Sequence, residues 1–162
     1  SEYVLCMLFG ITNTVCSLFL RFSRRRILLK VLANDEYAGV RVPTRSEVIS
    51  FQSVISTKYP ALPDVFAVAD GLKLNLEESS DSVPQNAFYN GWTHGHYVSN
   101  VLVFAPNGVI VMCAINAPGA MHDSEIAEWG GVYAKLEDVF EATGARCVVD
   151  SGFSKGDYPF LI

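Results

Sequence analysis

Charge is scarce in this chain. Asp, Glu, Lys and Arg make up 18% of its 162 residues, against 50% hydrophobic residues. So apolar a composition excludes a disordered tail, a collagen and a low-complexity linker. Cysteine is sparse as well. Cys6, Cys16, Cys113 and Cys147 form no CxxC pair and match no zinc-module spacing. Each sits among apolar residues and reads as a free buried thiol of a reducing compartment. No internal repeat is visible, which excludes a solenoid or a propeller. No basic n-region precedes the uncharged run from Tyr3 to Phe19, so it does not read as a signal peptide. Gly10, Thr12, Asn13, Thr14 and Ser17 interrupt that run and argue against a membrane span. The net charge of −5 excludes a polybasic coat for nucleic acid.

What charge there is divides unevenly. Residues 1–60 carry eight Lys/Arg and four Asp/Glu, a net of +4; residues 61–162 carry four and thirteen, a net of −9. The front reads as helical. A short apolar helix over 3–9 stops at Gly10, and Thr12 or Asn13 caps a second helix from Asn13 to Leu32. Val15, Leu18, Phe19 and Phe22 fall at helical spacing and are expected to be buried, with Arg21, Arg24 and Arg25 turned to solvent. Helix, glycine turn, helix and basic patch together suggest a helix-turn-helix. Thr44 or Ser46 caps a third helix from Glu47 to Lys58, which Pro60 and Pro63 end. The boundary between a helical segment (1–60) and a second domain (63–162) is expected there.

Strands follow. Val65–Ala69 is an apolar run leading into Asp70, and residues 75–87 read as a polar loop. Tyr97–Ala105 and Val109–Ile115 are strands joined at Pro106-Asn107-Gly108. Asp123 or Ser124 opens a helix reaching Thr143, and Gly144 caps its end. Cys147–Val149 is a last buried strand before Asp150. Strand, hairpin, helix, strand is the opening order of a ribonuclease H-like α/β fold.

Asp70 and Asp150 share a context: an apolar run, the acid, then a small residue with glycine close by. A carboxylate at a buried strand end is costly unless paired, hydrogen-bonded or metal-bound. Two of them on neighbouring strands repel unless a cation lies between. Hard oxygen donors select Mg²⁺ or Mn²⁺, and two such ions serve phosphodiester cleavage. The alternative is that each Asp merely begins a turn. Asp123 stands where N-capping alone would explain it. His122 is open to a structural or a ligand role, and His94 and His96 read as a polar loop facing a substrate.

The combination resembles a known family. Val68-Ala69-Asp70-Gly71, then Phe88-Tyr89-Asn90-Gly91-Trp92 leading to His96-Tyr97-Val98-Ser99-Asn100, then Pro118-Gly119-Ala120-Met121-His122-Asp123-Ser124, then Val148-Val149-Asp150-Ser151-Gly152-Phe153 resemble, in this order, the catalytic domain of Harbinger/PIF-like transposases and their derived nucleases, a branch of the DDE superfamily. The likeness spans Pro63 to Ile162, and the front is similar to the segment preceding that domain. It implies that Asp70 and Asp150 are catalytic acids and that Asp70, Asp123 and Asp150 are ligands of Mg²⁺ or Mn²⁺. It implies DNA as partner, with a homo-oligomer left open and no membrane, and the nucleus as location. Two departures stand out. Leu72 and Lys73 replace the usual Thr and His, and Lys73 is a candidate phosphate contact. The family's final Glu would lie past Ile162, so the chain is read as truncated, with weak metal binding and poor cleavage expected. The reading is therefore a metal-dependent DNA endonuclease of transposase type. A non-catalytic DNA-binding remnant using Arg21, Arg24 and Arg25, or a small-molecule phosphohydrolase, are the alternatives.

Overall fold

The structure, a computed structural model, describes residues 2–35, 38–77 and 82–162. Contacts divide the chain into two compact units, Ser1–Gly39 and Val40–Ile162. The helix over 45–58, grouped with the front in the sequence, lies in the second unit.

In the first unit α1 (Glu2–Phe9) ends at Gly10, whose φ of 61° suits glycine. Thr12 then caps α2 (Asn13–Phe22), its side chain accepting from the Val15 N–H at 3.4 Å. Helical backbone continues through a π-helical turn (Ser23–Leu28) into α3 (Leu29–Asn34). The expected burial of Val15, Leu18, Phe19 and Phe22 is corrected. Leu18 is 66% and Phe19 60% exposed, and Cys16 is the buried residue of α2. The reason is size: a unit this small has one short helix to lay against α2, and it covers only the side of Cys16. Arg21, Arg24 and Arg25 are exposed. Among the described residues no single helix is long and apolar enough to cross a membrane. Glu2–Phe9 and Asn13–Leu32 reach that length and composition only as a pair, bent by 107°.

The second unit is a mixed α/β layer. Its first helix, α4 (Arg45–Lys58), opens with a capping box. Thr44 Oγ1 accepts the Glu47 N–H at 3.4 Å, and Glu47 accepts the Thr44 N–H at 2.7 Å. Next come β1 (Val65–Asn75), α5 (Ser82–Phe88), β2 (Tyr89–Asn90), β3 (Gly95–Phe104) and β4 (Ile110–Pro118). They are followed by α6 (Asp123–Trp129), α7 (Val132–Thr143), β5 (Arg146–Val148) and a 3₁₀ turn (Lys155–Asp157). β3 runs antiparallel to both β1 and β4, while β5 joins β1 in parallel. The short β2 pairs with the start of β3.

Alternation along β1 turns Ala67 and Ala69 into a core shared with Val101, Val103, Met112 and Ala114 of the hairpin, and with Ile126, Val132 and Leu136 of α6 and α7; Phe66, at the register shift between Val65 and Ala67, is buried in it as well. Val68, Leu72 and Leu74 remain exposed. Three expectations are corrected. The strand through Asp70 does not end there but runs on to Asn75. Part of the expected loop over 75–87 is helix α5, and residues 78–81 of it lie outside the described residues. The helix expected over 123–143 is broken at Gly130-Gly131. Gly131 takes φ 68°, and a side chain on Gly130 would strike Ala114 of β4. All four cysteines are free, but only Cys16 and Cys147 are buried; Cys6 and Cys113 are half-buried.

Candidate active site

The parallel pairing of β1 with β5 sets Val68 opposite Val148. Two residues further along each chain stand Asp70 and Asp150, both exposed. Each carboxylate accepts a backbone N–H close by in the chain. Asp70 Oδ1 accepts the Gly71 N–H at 2.8 Å, and Asp150 Oδ1 accepts the Gly152 N–H at 2.9 Å. Such bonds fix where the acids point while leaving their second oxygens free for other partners.

Asp123 comes from the other side of β1. Gly71 lies on the face opposite Asp70, and the Asp123 carboxylate rests directly against it. A Cβ built on Gly71 would stand 2.5 Å from Asp123 Oδ2. One built on Gly152 would lie 3.1 Å from both Asp123 Oδ2 and Asp150 Oδ1. Asp150 is thus the link, following the end of β5 beside β1 and sharing Gly152 with Asp123. The N-cap role expected for Asp123 is corrected. His122 is the N-cap residue, its N–H donating to Glu125 Oε2 at 3.0 Å, and Asp123 is the first residue of α6. No hydrogen bond reaches the Asp123 carboxylate among the described residues. Burial pushes its pKa up, and the charges of Asp150 and Asp70 push the same way, against Lys73 and His122.

Among the described residues no group of three or more His, Cys, Asp or Glu side chains is disposed to hold a metal ion. Strand geometry explains this: Asp70 and Asp123 flank β1 from opposite faces, so rotation of the side chains must precede a shared ligand shell. The donor chemistry nonetheless fits a hard divalent cation. All three donors are carboxylates, two glycines leave room beside them, and the half-buried Asp123 suffers like-charge repulsion that a cation would relieve. His94 and His96 lie away from these acids, at the start of β3 beside Tyr89. The Tyr89 hydroxyl is 3.3 Å from His94 Nδ1, and the Tyr89 and His96 ring centroids are 5.3 Å apart.

Comparison with known proteins bears on this geometry. A family model described as DDE superfamily endonuclease matches residues 69–160, more than half of the chain and a span containing all three aspartates. The chain belongs to that family. No curated protein and no solved structure matches it. For a DDE superfamily endonuclease, two features of this site escape a residue-by-residue reading. Gly71 and Gly152 act as spacers, although their only signal is a small residue after each acid. Asn90 holds the loop that leads to Asp123, its Nδ2 donating to Gly119 O at 2.6 Å. A buried asparagine in a polar stretch carries no signal of that contact.

Proposed function

We propose that the chain carries a metal-dependent DNA endonuclease centre of the Harbinger/PIF-like transposase type, on a ribonuclease H-like core, acting in the nucleus. The observation that carries the proposal is the parallel β1–β5 pairing, which sets Val68 opposite Val148 two residues before Asp70 and Asp150, while α6 delivers Asp123 beside Gly71 and Gly152. An antiparallel β4–β3–β1 set extended in parallel by β5 supports the ribonuclease H-like reading. Asp70, Asp123 and Asp150 would hold Mg²⁺ or Mn²⁺. Bound there, such ions lower the pKa of water and stabilise charge on a leaving oxygen. The residues of the chain supply position. Gly71 and Gly152 turn their backbone N–H groups onto the acids, and their lack of a side chain lets the Asp123 carboxylate approach. Lys73, two residues beyond Gly71 on the same face of β1, supplies a positive charge near Asp123. The exposed Arg21, Arg24 and Arg25 add phosphate contacts from the first unit.

Plasmid nicking with Mn²⁺ tests the reading, comparing the chain with Asp150→Ala and Asp70→Asn. Weak metal-dependent nicking, lost in both variants, is the expected result. Nicking that persists in Asp150→Ala, or none with any divalent metal, overturns it.

A further inference from the structure

Among the described residues, the most exposed large hydrophobic side chain stands on a firmly held turn. Trp92 is 92% exposed, so its ring contributes nothing to folding. Its backbone is tied down. Asn90, 7% exposed, accepts the Trp92 N–H at 3.0 Å and the Thr93 N–H at 3.1 Å on Oδ1. The same side chain donates to Gly119 O, four residues before Asp123. Gly119 admits no larger residue, because a Cβ there would press on the Phe88 and Tyr97 carbonyls. His94 closes the turn at φ 52°, its ring bonded to the Tyr89 hydroxyl. Tyr89 and His96 pack ring against ring behind it. One buried asparagine therefore fixes both the indole-bearing turn and the loop that delivers Asp123.

The β1–β3 ladder connects the turn to the candidate active site. β1 runs from Asp70 past Lys73 to Asn75, which pairs with Tyr97. Five strand residues span about 17 Å, roughly the rise of five base pairs. A strand of nucleic acid with a phosphate at the acids would pass Lys73 and then reach the aromatic turn.

We infer that Trp92 is a stacking platform for an unpaired base of the DNA strand that enters the Asp70–Asp123–Asp150 site. The inference rests on the endonuclease reading above. An exposed indole offers a flat face that stacks on any base. In a paired duplex the base faces are already covered, so the platform selects an unpaired or displaced base. Asn90 is the positioning residue: it ties the backbone that bears the indole to Gly119, four residues before Asp123.

The test uses the full chain with Trp129→Phe, so that Trp92 is the only tryptophan. Labelled single-stranded and blunt duplex oligonucleotides are titrated in EDTA, reading anisotropy and indole emission together. Single strands are expected to quench Trp92 and bind about tenfold more weakly to Trp92→Ala, as loss of one base–aromatic stack implies. Trp92→Phe should recover most of that affinity, Asn90→Ala should lose part of it, and duplex affinity should stay level throughout. Single strands that bind Trp92→Ala as tightly as the parent, with no quenching, overturn the platform and leave the endonuclease reading standing. Failure of every oligonucleotide to bind, together with absent nicking, overturns both.

Discussion

A methyl group at position 71 would meet the Asp123 carboxylate, with the new Cβ 2.5 Å from Oδ2. That carboxylate is the end of a short side chain, so it can swing away at small cost to the fold. Gly71→Ala is therefore expected to keep a melting temperature near that of the parent while losing Mn²⁺ affinity and nicking together. Gly152→Ala, whose Cβ would find 3.1 Å, should lose less. Calorimetric Mn²⁺ titration of both variants checks the order; equal affinity in Gly71→Ala would remove Asp123 from the site. A second carboxylate sets a pH dependence. Glu47 is pulled down to about 2 by the Arg41 guanidinium, which it meets at 2.6 and 2.8 Å, and by the Thr44 N–H and hydroxyl. A depressed carboxylate stabilises the fold above its unfolded pKa of about 4.3, and that contribution is lost as pH falls toward 2. Glu47→Gln should thus lower the melting temperature at pH 7, and the gap should close on acidification. The pair is exposed, so salt should narrow the gap as well. Identical pH profiles for parent and variant would show the network to be inert.

Between α6 and α7 the chain turns on Gly130-Gly131, and the first of these touches β4. A Cβ on Gly130 would run into the Ala114 side chain, inside the core shared by hairpin and helices. Gly130→Ala should cost about 1–3 kcal/mol through overpacking. Ala114→Gly in the same chain should return part of the loss, and a chemical denaturation series would measure both. Such a contact between distant residues marks where the sequence stops being legible. Caps, turn glycines and apolar periodicity are local, so α1, α2, α4, both hairpin strands and β5 can be read to within a few residues. The hairpin is the clearest: Gly108 takes φ 83°, and Val109 N–H donates to Asn107 Oδ1 at 3.1 Å. The helix break at Gly130 and the passage of β1 beyond Asp70 depend on neighbours far along the chain. A long polar-flanked strand forms past Asp-Gly because β3 supplies its partners as far as Asn75. Asp70 and Asp150 are legible as candidates because each follows an apolar run and precedes a small residue, and Asp123 only through the family resemblance. Their placement on opposite faces of β1 is not, since it follows from where α6 docks.

Over the whole molecule, positive charge and apolar exposure are concentrated together in the first unit. Residues 13–34 carry Arg21, Arg24, Arg25, Arg26 and Lys30 and no acid, within a chain of net charge −5. The same stretch leaves Leu18, Phe19, Phe22 and Ile27 exposed. The two properties make different demands. Apolar exposure responds weakly to salt, whereas phosphate contacts release counterions and depend on it steeply. Salt dependence therefore separates an electrostatic role of the arginines from simple stickiness of the unit. Arg21, Arg24 and Arg25 are exposed, so replacing all three with Gln should leave the circular dichroism spectrum unchanged. If each neutralises one phosphate, the slope of log K against log salt on duplex DNA should flatten by about 2 to 3. The affinity loss should be greatest at low salt and nearly vanish at high salt, where the parent has already lost the same contacts. Anisotropy titrations across a salt series give the slope directly. A triple variant with the parent's slope would mean that these three arginines do not touch phosphate, and any DNA contacts would then come from other groups, Arg26, Lys30, Lys73 and the aromatic turn among them.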